Sequence, residues 1–233
     1  MNKKKAAFKV ALPYTIPVFA GYLLLGSAYG ILMTSKGFAA GWTLLMSVIV
    51  FAGAMQFVAL TLLVSAFDPL AALGLAIMVN IRHLFYGISM LERFKGSGIL
   101  KPYLVFGMTD ETFSLICATK PPKGIDRNLF MFFMTLQNHI YWIFGSAVGV
   151  FLGNFIMFDV KGLDFVLTAL FVVIFLEQWK DVRGHFPALI GLFCSWFCLV
   201  VFGPKLFIIP SMLAILAALA LSKNKLEEVF KKC

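Results

Sequence analysis

Three groups of polar residues lie where an apolar chain has little reason to put them. Arg82 and His83 fall inside Met78-Val79-Asn80-Ile81-Arg82-His83-Leu84-Phe85-Tyr86-Gly87. Asp110 and Glu111 fall inside Gly107-Met108-Thr109-Asp110-Glu111-Thr112-Phe113-Ser114, and Gln56 inside Phe51-Ala52-Gly53-Ala54-Met55-Gln56-Phe57. A charge at the bilayer centre costs ~2.5–3.5 kcal/mol even on an insertion scale. Arg82 therefore either meets a carboxylate, of the protein or of a substrate, or snorkels to the headgroups. Asn80, two residues away, points elsewhere on a regular helix, and only a local break brings both to one cavity. Asp110 and Glu111 are neighbours and diverge by about 100° on a helix, so they do different work. One suits the N-terminus of a half-helix, where free N–H groups and the dipole favour an anion. The other suits a proton, a substrate ammonium or Arg82, and burial raises a carboxylate pKa in the way a proton-coupled carrier uses. The plainer alternative is an interfacial cap outside the hydrocarbon.

Gln56 carries an amide that must find partners in hydrocarbon, either a ligand or a neighbouring helix. Gly53 beside it permits a close approach or a break. The same question attaches to Gln137, Asn138 and His139, with Tyr141 and Trp142 one turn on.

Enzyme signatures are missing. The chain has no glycine-rich phosphate loop followed by Lys-Ser/Thr and no His-Glu-x-x-His. His83, His139 and His185 sit in different segments, so no metal set can be drawn. Cys194 and Cys198 are four apart, but with no carboxylate or histidine nearby they read as small packing residues. Neither a cofactor nor a metal is expected.

The elements that must position these groups are long and apolar. Of 233 residues only 13% are charged, against about 25% in a soluble domain. Runs such as Leu44–Val64 and Phe130–Leu152 carry no formal charge, and each is long enough to cross ~30 Å of hydrocarbon. Apolar segments fall at 11–32, 42–66, 69–90, 103–118, 128–152, 163–178, 186–203 and 206–222. The expected fold is an all-α polytopic integral membrane protein with six to eight hydrophobic helical segments, some broken or re-entrant. One transmembrane domain spans 1–233, with basic cytoplasmic ends at about 1–10 and 223–233. The net charge of +9 gathers at span ends, which marks topology and argues against a nucleic-acid surface.

If all eight segments cross, the loops at 119–127 and 179–185 lie inside with both termini, as basic loops should. The loop at 91–101, with Arg93, Lys95 and Lys101, is then misplaced outside. A second topology repairs this by letting 69–90 and 103–118 each enter and leave on the cytoplasmic side, leaving six spans. Broken backbone is tolerated at that depth where protein or a watery cavity surrounds it. Gly26-Ser27-Ala28-Tyr29-Gly30 and Gly145-Ser146-Ala147-Val148-Gly149 echo each other. They read first as close-packing helix faces and alternatively as the trace of duplicated halves.

Taken in order, these motifs resemble those of the AzlC family, the large subunit of a bacterial branched-chain amino acid exporter. The likeness covers nearly the whole chain. It rests on the proline- and glycine-bearing first span Pro13–Gly30, on Phe51-Ala52-Gly53-Ala54-Met55-Gln56-Phe57, on Asn80-Ile81-Arg82-His83, and on Thr109-Asp110-Glu111-Thr112-Phe113. Here the Asn-x-Arg-His run continues Leu-Phe-Tyr where the family pattern has Leu-Leu-Tyr. The resemblance implies export of leucine, isoleucine or valine, with methionine a further candidate, across the bacterial cytoplasmic membrane, aided by a small AzlD-like membrane subunit. A zwitterion needs a cationic group for its carboxylate, an acceptor for its ammonium and an apolar pocket. Arg82 with Asp110 or Glu111 supplies the polar contacts, and Phe51, Phe57 and Phe113 the apolar ones. Gln56 and Asn80 complete the candidate site. A half-helix N-terminus is an alternative carboxylate site. A channel or carrier for another solute, or a scaffold subunit that does not transport, are the rival readings.

Overall fold

The computed structural model describes residues 3–64, 68–155 and 185–222, together with positions 172, 175, 176 and 179. Most of the expected segment at 163–178, Glu177 included, lies outside the described residues, as do most of the 179–185 loop and the basic end at 223–233. The chain divides into two compact units, Met1–Leu167 and Thr168–Cys233. Every described element is helical.

The first unit is organised by a pair of long helices, α1 (Lys3–Ser35) and α7 (Arg127–Phe155). They run parallel. Gln137 Nε2 donates to the Phe8 carbonyl at 3.1 Å, Thr15 Oγ1 donates to Gln137 Oε1 at 2.9 Å, and Ser27 Oγ donates to the Gly145 carbonyl at 3.2 Å. The two Gly-Ser-Ala-x-Gly stretches meet each other across this seam. A Cβ on Gly26 would stand 2.9 Å from the Gly145 carbonyl carbon and the Ser146 nitrogen. Small residues let the two backbones touch, the packing device expected where apolar burial supplies no drive between helices.

Two interrupted helices fill the space beside this pair. The first is α2 (Ala40–Ile49) and α3 (Gly53–Val64), separated at residues 50–52. Phe38 follows Met33 at the far end of α1 through its N–H to the Met33 carbonyl, at 3.1 Å. Met46 then meets Tyr29, and Phe51 reaches Tyr22. Past the break the chain climbs again, for Phe57 returns to Tyr29. The segment is a hairpin that enters from the end where α1 finishes, turns at Phe51, and leaves by the same end.

The second is α5 (Lys101–Phe106) and α6 (Asp110–Ala118), separated at residues 107–109. It enters from the opposite end. Ser97 Oγ bonds Asn128 at the start of α7, Phe106 lies against His139, and Thr119 is back beside Met134. Between the hairpins, α4 (Pro69–Met90) runs unbroken. Its C-terminal part lies along α6: Arg82 pairs with Asp110, Tyr86 stacks on Phe113, and Arg93 just beyond donates to the Ile116 and Cys117 carbonyls that end α6. Arg127 and Asn128 donate to the Lys95 and Gly96 carbonyls. The 91–97 turn thus shares one end of the unit with the start of α7.

The second unit contributes α8 (His185–Leu206), kinked at Gly203 with φ +70°, and α9 (Ile208–Leu221), which packs on it. Cys198 is buried and Cys194 half-buried, both as free thiols.

These observations refine the expected segments. The stretch 42–66 is not one span but two half-length helices folded back on each other. The stretch 103–118 is broken at 107–109 and doubles back, whereas 69–90 is a single continuous helix and does not turn back. Two described helices are both long and apolar enough to cross a bilayer, Lys3–Ser35 and His185–Gly203. That supports an all-α protein associated with membrane, and the count is smaller than six to eight.

Candidate functional site

The two hairpin tips meet. The Phe51 and Phe106 rings, one from each break, lie 6.3 Å apart, and Phe51 stacks on His139 of α7 at 4.3 Å. Phe51 takes φ +39° and is buried. Left-handed backbone is costly for a bulky L-residue, so the surrounding packing must impose it, as often happens at sites that act. Tyr103 of α5 bonds His139 Nδ1 at 3.0 Å.

The charged groups gather at the tip of the second hairpin. Thr109 is the N-cap of α6, accepting from the Thr112 N–H at 3.2 Å. Asp110 and Glu111 follow as the first two helical residues, where the macrodipole favours negative charge. A carboxylate as the cap is therefore corrected to a threonine cap with both carboxylates just inside. They do separate work, as their divergence requires. Asp110 takes Arg82 Nη1 on Oδ2 at 2.5 Å and the Tyr86 hydroxyl on Oδ1 at 2.7 Å. Glu111 points to α1, where the Tyr22 hydroxyl donates to Oε2 at 2.8 Å and lies 2.7 Å from Thr109 Oγ1. Arg82 is thus engaged across helices, with its side chain only 30% exposed.

A buried polar chain continues inward from Glu111. Thr109 Oγ1 is 3.0 Å from Thr112 Oγ1, which accepts from Asn138 Nδ2 at 3.0 Å. Thr112 and Asn138 are both fully buried. The remaining atom of the Asn138 amide, Oδ1, has no hydrogen-bond partner among the described residues.

Other predicted residues lie apart from this cluster. Gln56 is fully buried and bonded across helices: Oε1 accepts from Trp142 Nε1 at 2.7 Å and Nε2 donates to Ser47 Oγ at 3.4 Å. Ser47 in turn bonds Ser146 at 2.8 Å. Asn80 donates to the Ala76 carbonyl of its own helix at 2.9 Å. No break in α4 brings it beside Arg82. Phe57 packs against Tyr29, a turn away from the tip. Phe113, stacked on Tyr86 with centroids 4.4 Å apart, does belong to the cluster.

Tyr22, Thr109, Thr112 and Asn138 are the residues that sequence reasoning undervalued. Asn138 was visible as an amide in an apolar run. Tyr22 gives no local sign of function, because its partners lie 87 and 89 residues away. Among the described residues no group of three or more His, Cys, Asp or Glu could hold a metal.

Comparison with known proteins agrees with the motifs. The AzlC protein family model matches residues 17–156. The chain is 52% identical over 231 residues to the "Branched-chain amino acid transport protein AzlC" of Bacillus subtilis, covering 98% of this chain and 91% of that protein. It is 42% identical to an uncharacterized membrane protein of Helicobacter pylori strain J99, covering 95% and 97% respectively. To the inner membrane protein YgaZ of Escherichia coli the identity is 29%, over 92% and 87%. No solved structure matches.

Proposed function

The chain belongs to the AzlC family of transport proteins, and from that premise we propose that it is the large, multi-pass subunit of a bacterial cytoplasmic-membrane exporter of branched-chain amino acids. It acts as a secondary carrier for leucine, isoleucine and valine, with methionine a further substrate, and works with a small AzlD-like membrane subunit.

The observation that carries this reading is the meeting of two half-helix hairpins from opposite ends, with Arg82, Asp110 and Glu111 at one tip. Interrupted helices of this kind leave backbone groups and half-helix dipoles free at mid-depth, where carriers bind solute. Access from one side and then the other needs a small relative movement of the tips, and the Phe51–Phe106–His139 cluster is the obstruction that must part. Arg82 and one of the two carboxylates serve the polar ends of a zwitterion, while Phe51 and Phe113 contribute apolar surface. Gln56, Asn80 and Phe57 support the surrounding helices instead.

The topology fits this role. Basic residues at the N-terminus, at Arg93, Lys95 and Lys101, and at Lys120, Lys123 and Arg127 fall at one end of the first unit, which is the cytoplasmic end by the positive-inside rule. In this arrangement the 91–101 loop ceases to be a misfit. α1 and α7 cross outward, α4 crosses inward, and the hairpins re-enter from the two sides.

Counterflow of labelled leucine, isoleucine, valine and methionine into proteoliposomes, with and without the small subunit, tests the proposal. Saturable exchange that needs the partner supports it. Absence of exchange by a verified, folded complex sinks the branched-chain assignment. Imposing a pH gradient on the same vesicles tests proton coupling through Asp110 or Glu111, which fails if D110N and E111Q both keep the wild-type response.

A further inference from the structure

The charges at the tip of the second hairpin do not balance within the site. One guanidinium faces two carboxylates, and the geometry assigns it to Asp110, which also holds the Tyr86 hydroxyl. Among the described residues Glu111 is met by neutral donors, the Tyr22 hydroxyl first among them. A carboxylate withdrawn from water is costly unless a positive group accompanies it. A chain of hydroxyls leads from the Glu111–Tyr22 contact through Thr109 and Thr112 to Asn138. Thr109 presents a hydroxyl lone pair, whereas Thr112 Oγ1 already accepts from Thr109 and Asn138; Asn138, with no exposed surface, holds an amide oxygen that no hydrogen donor reaches among the described residues.

We propose that Glu111, the Thr109 hydroxyl and the Asn138 amide oxygen form the binding site for the primary ammonium group of the transported solute. This rests on the carrier reading above and divides the labour within it. Asp110 is committed to Arg82 and does not bind the amine. An ammonium has three N–H donors and no acceptor. Glu111, Asn138 Oδ1 and the Thr109 hydroxyl supply three acceptors, so both partners are satisfied together. Tyr22 is a positioning residue, holding Glu111 Oε2. A solute without a free amine leaves Glu111 and Asn138 buried and unpaired, which is how a polar site rejects an analogue lacking the group it is built to bond.

The test uses the complex with its small subunit and three probes: leucine, 3-methylbutylamine, which keeps the ammonium and lacks the carboxylate, and 4-methylpentanoate, which does the reverse. Thermal stabilisation of the purified complex reports binding, and labelled-leucine counterflow reports transport. The expected result is that the amine stabilises the wild type and inhibits exchange. E111Q and N138L should lose that stabilisation and weaken leucine by roughly tenfold or more, the usual scale for a hydrogen bond to a charged group. E111D, which keeps the charge, should retain amine binding and so separates lost recognition from lost folding. Amine binding through Glu111 and Asn138 without leucine exchange would keep this site while removing the branched-chain reading. Leucine exchange that survives in E111Q and N138L, with no effect of the amine, overturns the site. So does a sodium requirement abolished by N138L, since the positive group would then be a free cation.

Discussion

The Arg82–Asp110 pair offers the sharpest test of how α4 is coupled to the second hairpin. Removing either partner leaves the other beside helix backbone in a site only 30% and 20% exposed at the two side chains. Exposed pairs contribute about 0–1 kcal/mol, and breaking fully buried ones costs about 3–5 kcal/mol. Partial exposure puts each single alanine substitution between these, at about 2 kcal/mol. For a chain of this size that corresponds to about 4–8 °C in Tm. Asp110→Ala also orphans the Tyr86 hydroxyl and should be the more harmful of the two. Because the pair acts as a unit, R82A/D110A should cost less than the sum of the singles, with a coupling of about 1–2 kcal/mol. Scan-matched thermal denaturation of the four proteins in one detergent completes the cycle. Additive losses, or single losses below about 0.5 kcal/mol, would mean that the pair does not tie α4 to α6, and the account of the tip would be wrong.

Three further outcomes follow from the same geometry. Gly26→Ala should destabilise by about 1–3 kcal/mol, since the new methyl meets the α7 backbone at 2.9 Å, whereas Gly21→Ala, with nothing within 4 Å, should be neutral or slightly stabilising; equal effects in a thermal melt would refute the seam. Trp142→Phe deprives the Gln56 amide of its donor and should cost about 1–3 kcal/mol, read against Trp179→Phe as a control for loss of an indole. In a background with Cys117, Cys194, Cys198 and Cys233 replaced, Lys95→Cys and Lys123→Cys should react with an impermeant maleimide from the same side of the membrane, and Lys36→Cys from the other; labelling of Lys95→Cys and Lys123→Cys from different sides would remove the hairpin topology.

Much of this was legible in the sequence, because a few side chains are expensive anywhere in an apolar chain. Arg82 and Asp110 announce a pairing through the cost of burying either alone, and Thr109-Asp110-Glu111 announces a helix start through its fit to free N–H groups. The small-residue echo at Gly26–Gly30 and Gly145–Gly149 signalled close packing. What it could not signal is that the two copies pack on each other. Hydropathy measures apolar length and is blind to direction, so 42–66 reads as one span whether the chain crosses or doubles back at Phe51. The choice between them is made by Tyr29, which meets both Met46 and Phe57 and so brings the two arms to one level. Gln56 was ambiguous for the same kind of reason, since an amide must be satisfied, but only the position of Trp142 decides by what. The sequence alone therefore established the class of protein, its family and the residues too costly to be idle. Tertiary structure decided their grouping, binding Asp110 to Arg82 and leaving Glu111 to Tyr22, because contacts between residues some 30 to 90 positions apart depend on how helices pack and not on any local pattern.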